Sequence, residues 1–169
     1  RKAMILFEST HVRNKEFYKE IYSYHHFKSK SAVILEVIVG IALLTSLLSL
    51  VFDTSVDYTI YGCIFFIILV RLWSYRRTVK ISMDREKEIS SEGEITYTVA
   101  ASEDKIFHKS SLGTYQTIDL SVIKKVYKTK NYIVLQSQAK QLYVFKKDAF
   151  TIGEENAFLK FLRGKGYKI

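Results

Sequence analysis

The stretch SAVILEVIVGIALLTSLLSLVF at residues 31–52 decides the fold, because it is apolar almost throughout and Glu36 is its one charged residue. As a helix it would rise about 33 Å, which is enough to cross a hydrocarbon core of roughly 30 Å. A secretory signal peptide is the less favoured alternative, because a long polar segment precedes the stretch and no small-residue cleavage pattern follows it. The stretch therefore predicts a transmembrane helix.

A second apolar stretch, YTIYGCIFFIILVRLWSY at residues 58–75, would rise about 27 Å as a helix and has aromatic residues at both ends. Only residues 53–57 separate the two stretches, so they predict a tight transmembrane hairpin. Lysine and arginine flank the hairpin on its outer sides, whereas the short turn carries two aspartates and no base. By the positive-inside rule, both termini of this multi-pass protein are predicted to be cytoplasmic.

Glu36 and Arg71 lie at similar distances from the turn, so an antiparallel hairpin should bring them face to face at nearly the same depth. An unpaired ion in hydrocarbon is costly, and a paired one near the interface is much less so. We therefore predict an intramembrane ion pair. Two alternatives are that Arg71 extends to lipid phosphates while Glu36 sits at headgroup depth, or that the acid serves transport in an oligomer.

The first span also carries small residues at approximately helical spacing, among them Gly40, Ala42, Ser46 and Ser49. Small residues let transmembrane helices approach closely. This stripe either packs the hairpin against itself or meets a partner, which would be a second copy of the chain or another membrane protein.

The remaining composition excludes several classes of function. The formal charge of +9 is largely explained by the membrane topology, and no motif typical of nucleic-acid binding is present, so no nucleic-acid partner is predicted. The single cysteine, Cys63, rules out a disulfide within the chain. There is no glycine-rich phosphate loop, GxSxG or HExxH, and the adjacent His25 and His26 point apart on a helix. We therefore predict no enzyme activity, no cofactor and no metal.

The polar parts of the chain predict an α+β domain. Before the membrane, residues 4–10 favour a strand and residues 14–30 an amphipathic helix with Asn14 as its N-cap. After a polar connection at residues 76–94, alternating hydrophobicity predicts an antiparallel sheet or barrel. Its strands are expected at residues 94–101, 104–110, 113–120, 122–129, 131–138 and 140–147.

A C-terminal helix should close the domain, because Glu154 and Glu155 precede an apolar run and Gly164 is a plausible stop. The predicted domains are the N-terminal strand and helix at 1–30, the hairpin at 31–76 with spans 31–52 and 58–75, and the cytoplasmic domain at 77–169.

The order of these segments resembles the YcxB-like family of bacterial membrane proteins. The resemblance runs from FEST and EFYKEIYSYHHFKSK, through the hairpin, to IDLSVIKKVYKTKNYIVLQSQAKQLYVFKKDAF and ENAFLKFLRGK. It implies a C-terminal domain similar to the pleckstrin-homology fold and a place in the bacterial cytoplasmic membrane. Related proteins suggest, by analogy, immunity to a bacteriocin or toxin, or envelope defence.

A basic and aromatic hairpin is the predicted binding surface. It comprises Lys124, Lys125, Tyr127, Lys128, Lys130 and Tyr132. Such a cluster can rest on anionic headgroups of the bilayer, at about 1 kcal/mol per basic residue. The alternative for this cluster is a solvated face with no ligand. For the protein as a whole, the alternatives are that the sheet or the hairpin grips a membrane-active peptide, and that the chain is a regulatory or scaffold subunit of a membrane protein complex.

Overall fold

The computed structural model describes residues 4–28, 30–51, 58–90 and 94–169, and the chain divides into two compact units. The first unit combines Arg1–Phe17 with Glu86–Ile169, and the second is Tyr18–Arg85. The sequence placed boundaries near residues 30 and 76. The structure instead groups the N-terminal strand with the C-terminal half, because that strand pairs with strands beyond residue 90.

The described part of the first unit contains two antiparallel sheets. The strands are β1 (Phe7–Val12), β2 (Thr96–Ala101), β3 (Lys105–Ser110), β4 (Tyr115–Asp119), β5 (Ile123–Lys128), β6 (Tyr132–Ser137), β7 (Leu142–Lys146) and β8 (Phe150–Ile152). One sheet has the order β4-β3-β2-β1-β8 and the other has the order β5-β6-β7. The first strand of the chain therefore lies inside a sheet, between β2 and β8.

The predicted α+β class with an antiparallel sheet and a C-terminal helix is confirmed. Each of the six predicted runs contains one of the strands β2 to β7, since runs rich in β-branched and aromatic residues favour strands. The strands β6 and β7 are buried on both faces over most of their length. The N-terminal strand begins and ends slightly later than predicted. The short strand β8 follows a turn of 3-10 helix and had no alternating pattern to reveal it.

The core of this unit lies under the C-terminal helix α4 (Glu155–Gly164). Phe158 and Leu162 of α4 are fully buried, and the Phe158 ring centroid lies 4.4 Å from that of Phe145 on β7. Ile106 and Ile133 complete the contact from the two sheets. Burial of such side chains contributes roughly 1.5–3 kcal/mol each, so α4 holds the two sheets together.

Three helices make up the described part of the second unit, and the first and third of them extend a few residues beyond its bounds. They are α1 (Lys15–Ser23), which continues as a π-helical turn at Tyr24–Lys28, then α2 (Lys30–Val51) and α3 (Tyr58–Ile89). The Phe17 backbone N–H donates to the Asn14 side-chain oxygen at 2.9 Å, so Asn14 caps α1 as the sequence predicts.

The predicted polar connection at residues 76–94 is wrong over most of its length, because α3 continues to Ile89. Arginine, lysine, methionine and glutamate are good helix formers, and extending an existing helix needs no new nucleation. Val79 is buried in this part of α3.

Among the described residues, one helix is long and apolar enough to cross a membrane, at Ala32–Ser49 of α2, and 11% of that window is buried. Residues 58–75 form the first half of α3, where Arg71 interrupts the apolar run and Arg76 follows it closely. The predicted turn at 53–57 lies outside the described residues. The second span and the multi-pass topology therefore stay predictions.

Candidate functional site

The predicted lysine surface lies on and beside β5, an edge strand of the three-stranded sheet. Lys124, Lys125, Lys128 and Lys130 are all exposed. A β-bulge between Ile123 and Lys125 adds one residue to β5 only, and this explains how two adjacent lysines both reach solvent. The structure therefore gathers the four cations on the β5–β6 hairpin, and these four lysines are called the lysine hairpin below.

The structure does not place the two tyrosines on that surface. Tyr127 and Tyr132 are both buried, with Tyr132 packed edge-on against the ring of Phe17 at 5.2 Å. The Lys125 ammonium lies 5.3 Å from the Tyr127 ring centroid, so this lysine covers the tyrosine rather than sharing an exposed face with it. The expected basic and aromatic surface is thus corrected to a basic one, because the tyrosines fill the interior of the sheet.

The tip of the lysine hairpin is held by another lysine. Lys147 Nζ donates to the carbonyls of Thr129 at 2.8 Å and Lys130 at 3.1 Å, and it lies 4.0 Å from a carboxylate oxygen of Glu155. These contacts tie the β5–β6 turn to the start of α4. The turn that carries Lys128 and Lys130 is therefore a positioned loop.

Glu36 and Arg71, the other predicted pair, come together in the second unit. Arg71 Nη2 lies 3.5 Å from Glu36 Oε1, and the Arg71 side chain is 17% exposed whereas that of Glu36 is 52% exposed. The same Nη2 donates to the carbonyl of His26, and the guanidinium lies 5.1 Å from the Phe27 ring centroid. Arg71 is therefore held by the π-helical turn as well as by the acid, a contact that spacing along the hairpin did not reveal.

A row of stacked rings in the first unit has no counterpart among the sequence predictions. His108 on β3 stacks on Tyr97, Tyr97 stacks on His11 of β1, and His11 stacks on Phe17, with centroids 5.3–5.9 Å apart. His11 and Tyr97 are direct partners across the β1–β2 ladder. The pairing of distant strands creates the row, so no local pattern could have indicated it.

Arg13 adds a cation to this row. Its guanidinium carbon lies 3.8 Å from the Tyr97 ring centroid, and Nη2 lies 3.4 Å from His108 Nε2. Burial and then Arg13 lower the pKa of His11 to about 3 and that of His108 to about 4. Neither ring nitrogen of His11 has a hydrogen-bond partner among the described residues. Both histidines are therefore neutral near pH 7, and the row is suited to packing rather than to proton transfer.

Within the described part of the chain, no three histidine, cysteine or acidic residues are grouped so that they could hold a metal ion. Cys63 is exposed on α3. The contacts described for the lysine hairpin and for Glu36 and Arg71 are electrostatic, so what they can do chemically is bind anions or hold helices in register.

Comparison with known families supports the expected resemblance. Residues 101–162 match the family model described as YcxB-like protein, a segment that runs from the end of β2 to Leu162 in α4. The match supports the predicted YcxB-like family over this segment. No curated protein and no solved structure matches the chain. The matched segment includes the lysine hairpin but neither α2 nor α3.

Proposed function

We propose that this protein is a membrane-anchored binding module without chemistry of its own, whose β-rich unit presents the lysine hairpin to anionic headgroups. The observation that carries the proposal is the exposure of α2. Large aliphatic side chains all around this helix are open, among them Ile34, Val37, Ile38, Leu44 and Leu47. A helix with this surface is stable in hydrocarbon and would aggregate in water.

The hydroxyl groups of α2 fit the same environment. The Ser46 side chain donates to the Ala42 carbonyl at 2.8 Å, and the Ser49 side chain donates to the Thr45 carbonyl at 3.0 Å. In hydrocarbon every polar group needs an internal partner, and these bonds supply one within the helix. They support a lipid-facing α2.

The second span of the proposed hairpin is supported by the first half of α3. Phe65 and Phe66 are 63% and 65% exposed, and the apolar residues from Ile67 to Val70 are open as well. Because two apolar helices follow one another with a short connection, a hairpin is the simplest arrangement that surrounds both of them with lipid. We therefore include multi-pass topology, with both termini cytoplasmic, in the proposal.

The first unit supports a pleckstrin-like interpretation of the binding domain. It has two antiparallel sheets, of five and three strands, and a C-terminal helix that fills the core between them. This arrangement resembles the pleckstrin-homology fold implied by the family resemblance. We propose the likeness as a matter of architecture, and the choice of ligand depends on the lysines.

Three lysines of the hairpin are suited to anions because no described carboxylate neutralises their charges. Among the described residues, no carboxylate forms an ion pair with Lys124, Lys128 or Lys130. Basic residues close to an anionic bilayer surface contribute about 1 kcal/mol each. Charged lysines also prevent an edge strand such as β5 from pairing with other chains, and this is the alternative role to be tested.

The test is lysine footprinting of the full chain in liposomes. Co-flotation with liposomes that survives high salt and alkaline carbonate would establish anchoring. An amine-reactive reagent should then label Lys124, Lys128 and Lys130 more slowly in phosphatidylglycerol liposomes than in phosphatidylcholine liposomes, and salt should remove the difference. Lys140, exposed in the turn at the other end of β6, is the control. Equal labelling in the two lipids would leave edge protection as the role of these lysines.

The protective role implied by the family resemblance stays a prediction, as do a peptide partner and a second copy of the chain. None of the contacts described above bears on them. A deletion strain that shows normal growth in the presence of every co-encoded peptide would contradict immunity. Lipid binding by the hairpin would be unaffected by that result.

A further inference from the structure

A cavity of about 490 Å³, widely open on one side, lies within the second unit, between α2, α3 and the π-helical turn. Its wall is mainly apolar and includes Leu35, Phe66 and Val70. Polar groups are confined to a few side chains, principally Arg71, His26 and Ser74. The volume is in the range of ligand sites, which are typically about 300–1,000 Å³ and combine apolar walls with a few polar groups.

Arg71 brings unused hydrogen-bond donors to this cavity. The contacts with the His26 carbonyl and with Glu36 both involve Nη2. Among the described residues, Nε and Nη1 donate to no protein acceptor. A guanidinium has five N–H donors in a planar fork that matches a phosphate group. Arg71 is therefore positioned by the protein and still able to bind an anion.

Arg71 is the only lysine, arginine or carboxylate side chain among the described residues that line the cavity. Glu36 is half exposed at 3.5 Å from Arg71, whereas Lys28 stands exposed at the end of the π-helical turn, two residues beyond His26. Burial, followed by the charge of Arg71, lowers the pKa of His26, so this imidazole is neutral at pH 7 and can donate one N–H. An anionic head with an apolar tail matches this distribution of charge and apolar surface.

We propose that the cavity binds one anionic phospholipid, with its phosphate on Arg71 and an acyl chain along Leu35, Phe66 and Val70. The proposal rests on the membrane anchoring proposed above, since α2 and α3 then place the cavity at the cytoplasmic side of the bilayer. Basic pockets between transmembrane helices on that side are known to hold anionic headgroups. This site is separate from the lysine hairpin, which meets headgroups only at their surface.

The test is native mass spectrometry of the full chain released from nanodiscs of phosphatidylcholine containing a minor fraction of phosphatidylglycerol. The wild-type protein should retain one phosphatidylglycerol. Arg71→Gln removes the charge-assisted hydrogen bonds, and the retained fraction should fall about tenfold. Arg76→Gln is the matched control, because Arg76 is exposed on the same helix, is not a wall residue, and loses the same charge.

A second variant keeps the Arg71 contacts intact. Ala32 is buried and lines the cavity, so Ala32→Leu should fill the space and also lower retention. Equal losses for Arg71→Gln and Arg76→Gln, or full retention in Ala32→Leu, would overturn the proposal. A chain that enters the bilayer but retains no phosphatidylglycerol overturns this proposal alone, whereas a chain that fails to enter the bilayer overturns the anchoring as well.

Discussion

The Ser9 hydroxyl forms two hydrogen bonds with the backbone of Lys146, accepting from its N–H at 2.9 Å and donating to its carbonyl at 3.0 Å. Ser9 lies on β1 in the five-stranded sheet, and Lys146 ends β7 in the three-stranded sheet. Ser9 is fully buried. One short side chain therefore completes the hydrogen bonding between two sheets that do not share a ladder.

Replacing Ser9 with alanine should destabilise the first unit by about 1–3 kcal/mol, because a buried N–H and a buried carbonyl of Lys146 would lose their partner. Thermal unfolding of the full chain in detergent measures the effect. Thr10→Ala on the same strand is the control, since Thr10 is only half-buried. Equal changes in the two variants would show that the Ser9 bonds contribute nothing specific.

The stability of the first unit should decrease in acid because of His11. Its pKa is about 3 in the folded protein against an ordinary value of 6.5, so the unfolded chain binds a proton there that the folded protein does not. Stability is complete above pH 6.5 and falls as the pH drops toward 3, by up to about 1.4 kcal/mol per pH unit for this group. Melting temperatures between pH 7.5 and 4.5, a range of about three units, would record the slope.

His11→Phe is the variant that isolates this effect. Phenylalanine preserves the stack with Phe17 and Tyr97 and removes two ring nitrogens that have no hydrogen-bond partner among the described residues. We expect unchanged or higher stability at pH 7.5 and a smaller acid slope. The remaining slope belongs to His108, whose pKa of about 4 acts in the same direction. An unaltered slope in His11→Phe would assign the acid sensitivity elsewhere.

Gly153 should not tolerate a side chain. Its φ is +76°, and a Cβ built there would lie 2.5 Å from Phe7 Cδ1 and 2.9 Å from the Leu6 carbonyl oxygen. Gly153→Ala should therefore cost at least about 1–3 kcal/mol through backbone strain, with the clash against β1 added. Gly164→Ala, where a Cβ meets nothing within 4 Å, should be close to neutral. Similar melting temperatures for the two variants would contradict the strained turn.

The contact between Glu36 and Arg71 can be measured with a double-mutant cycle. Arg71→Leu leaves Glu36 without its cation, and Glu36→Leu leaves Arg71 without its acid. In a bilayer each single change should lower stability, and the double change should cost about 0.5–3 kcal/mol less than the sum. The free energies of unfolding of the wild type and the three variants can be measured by steric trapping or by unfolding in mixed micelles. If the losses of stability were strictly additive, the contact with Glu36 would contribute nothing, and Arg71 would stabilise the protein through the His26 carbonyl alone.

The sequence predicts well those elements that depend on local periodicity. The runs around Tyr132 and Tyr143 are short and rich in β-branched and aromatic residues, and both become strands of the predicted sheet. The apolar stretch around Gly40 becomes α2, since its length and composition are sufficient by themselves. The Asn14 cap of α1 could be predicted because it is a contact between residues only three positions apart.

The elements that were missed depend on contacts between distant parts of the chain. The burial of Tyr127 and Tyr132 depends on which residues pack on the sheet. A tyrosine between lysines has the same local sequence whether it is buried or exposed. The ring row at His11 requires β1 to pair with β2, across more than eighty intervening residues. The extension of α3 to Ile89 was missed because its polar residues suit a helix and a connection alike.

The position of β1 in its sheet also sets the order in which the protein can be assembled during synthesis. The ribosome makes β1 first, yet its neighbours β2 and β8 emerge only after all of α2 and α3. The strand β1 therefore lacks its ladder partners until both helices have been synthesised. Completion of the five-stranded sheet therefore depends on synthesis of the whole chain through β8, and a chain that stalls before β2 contains no completed sheet.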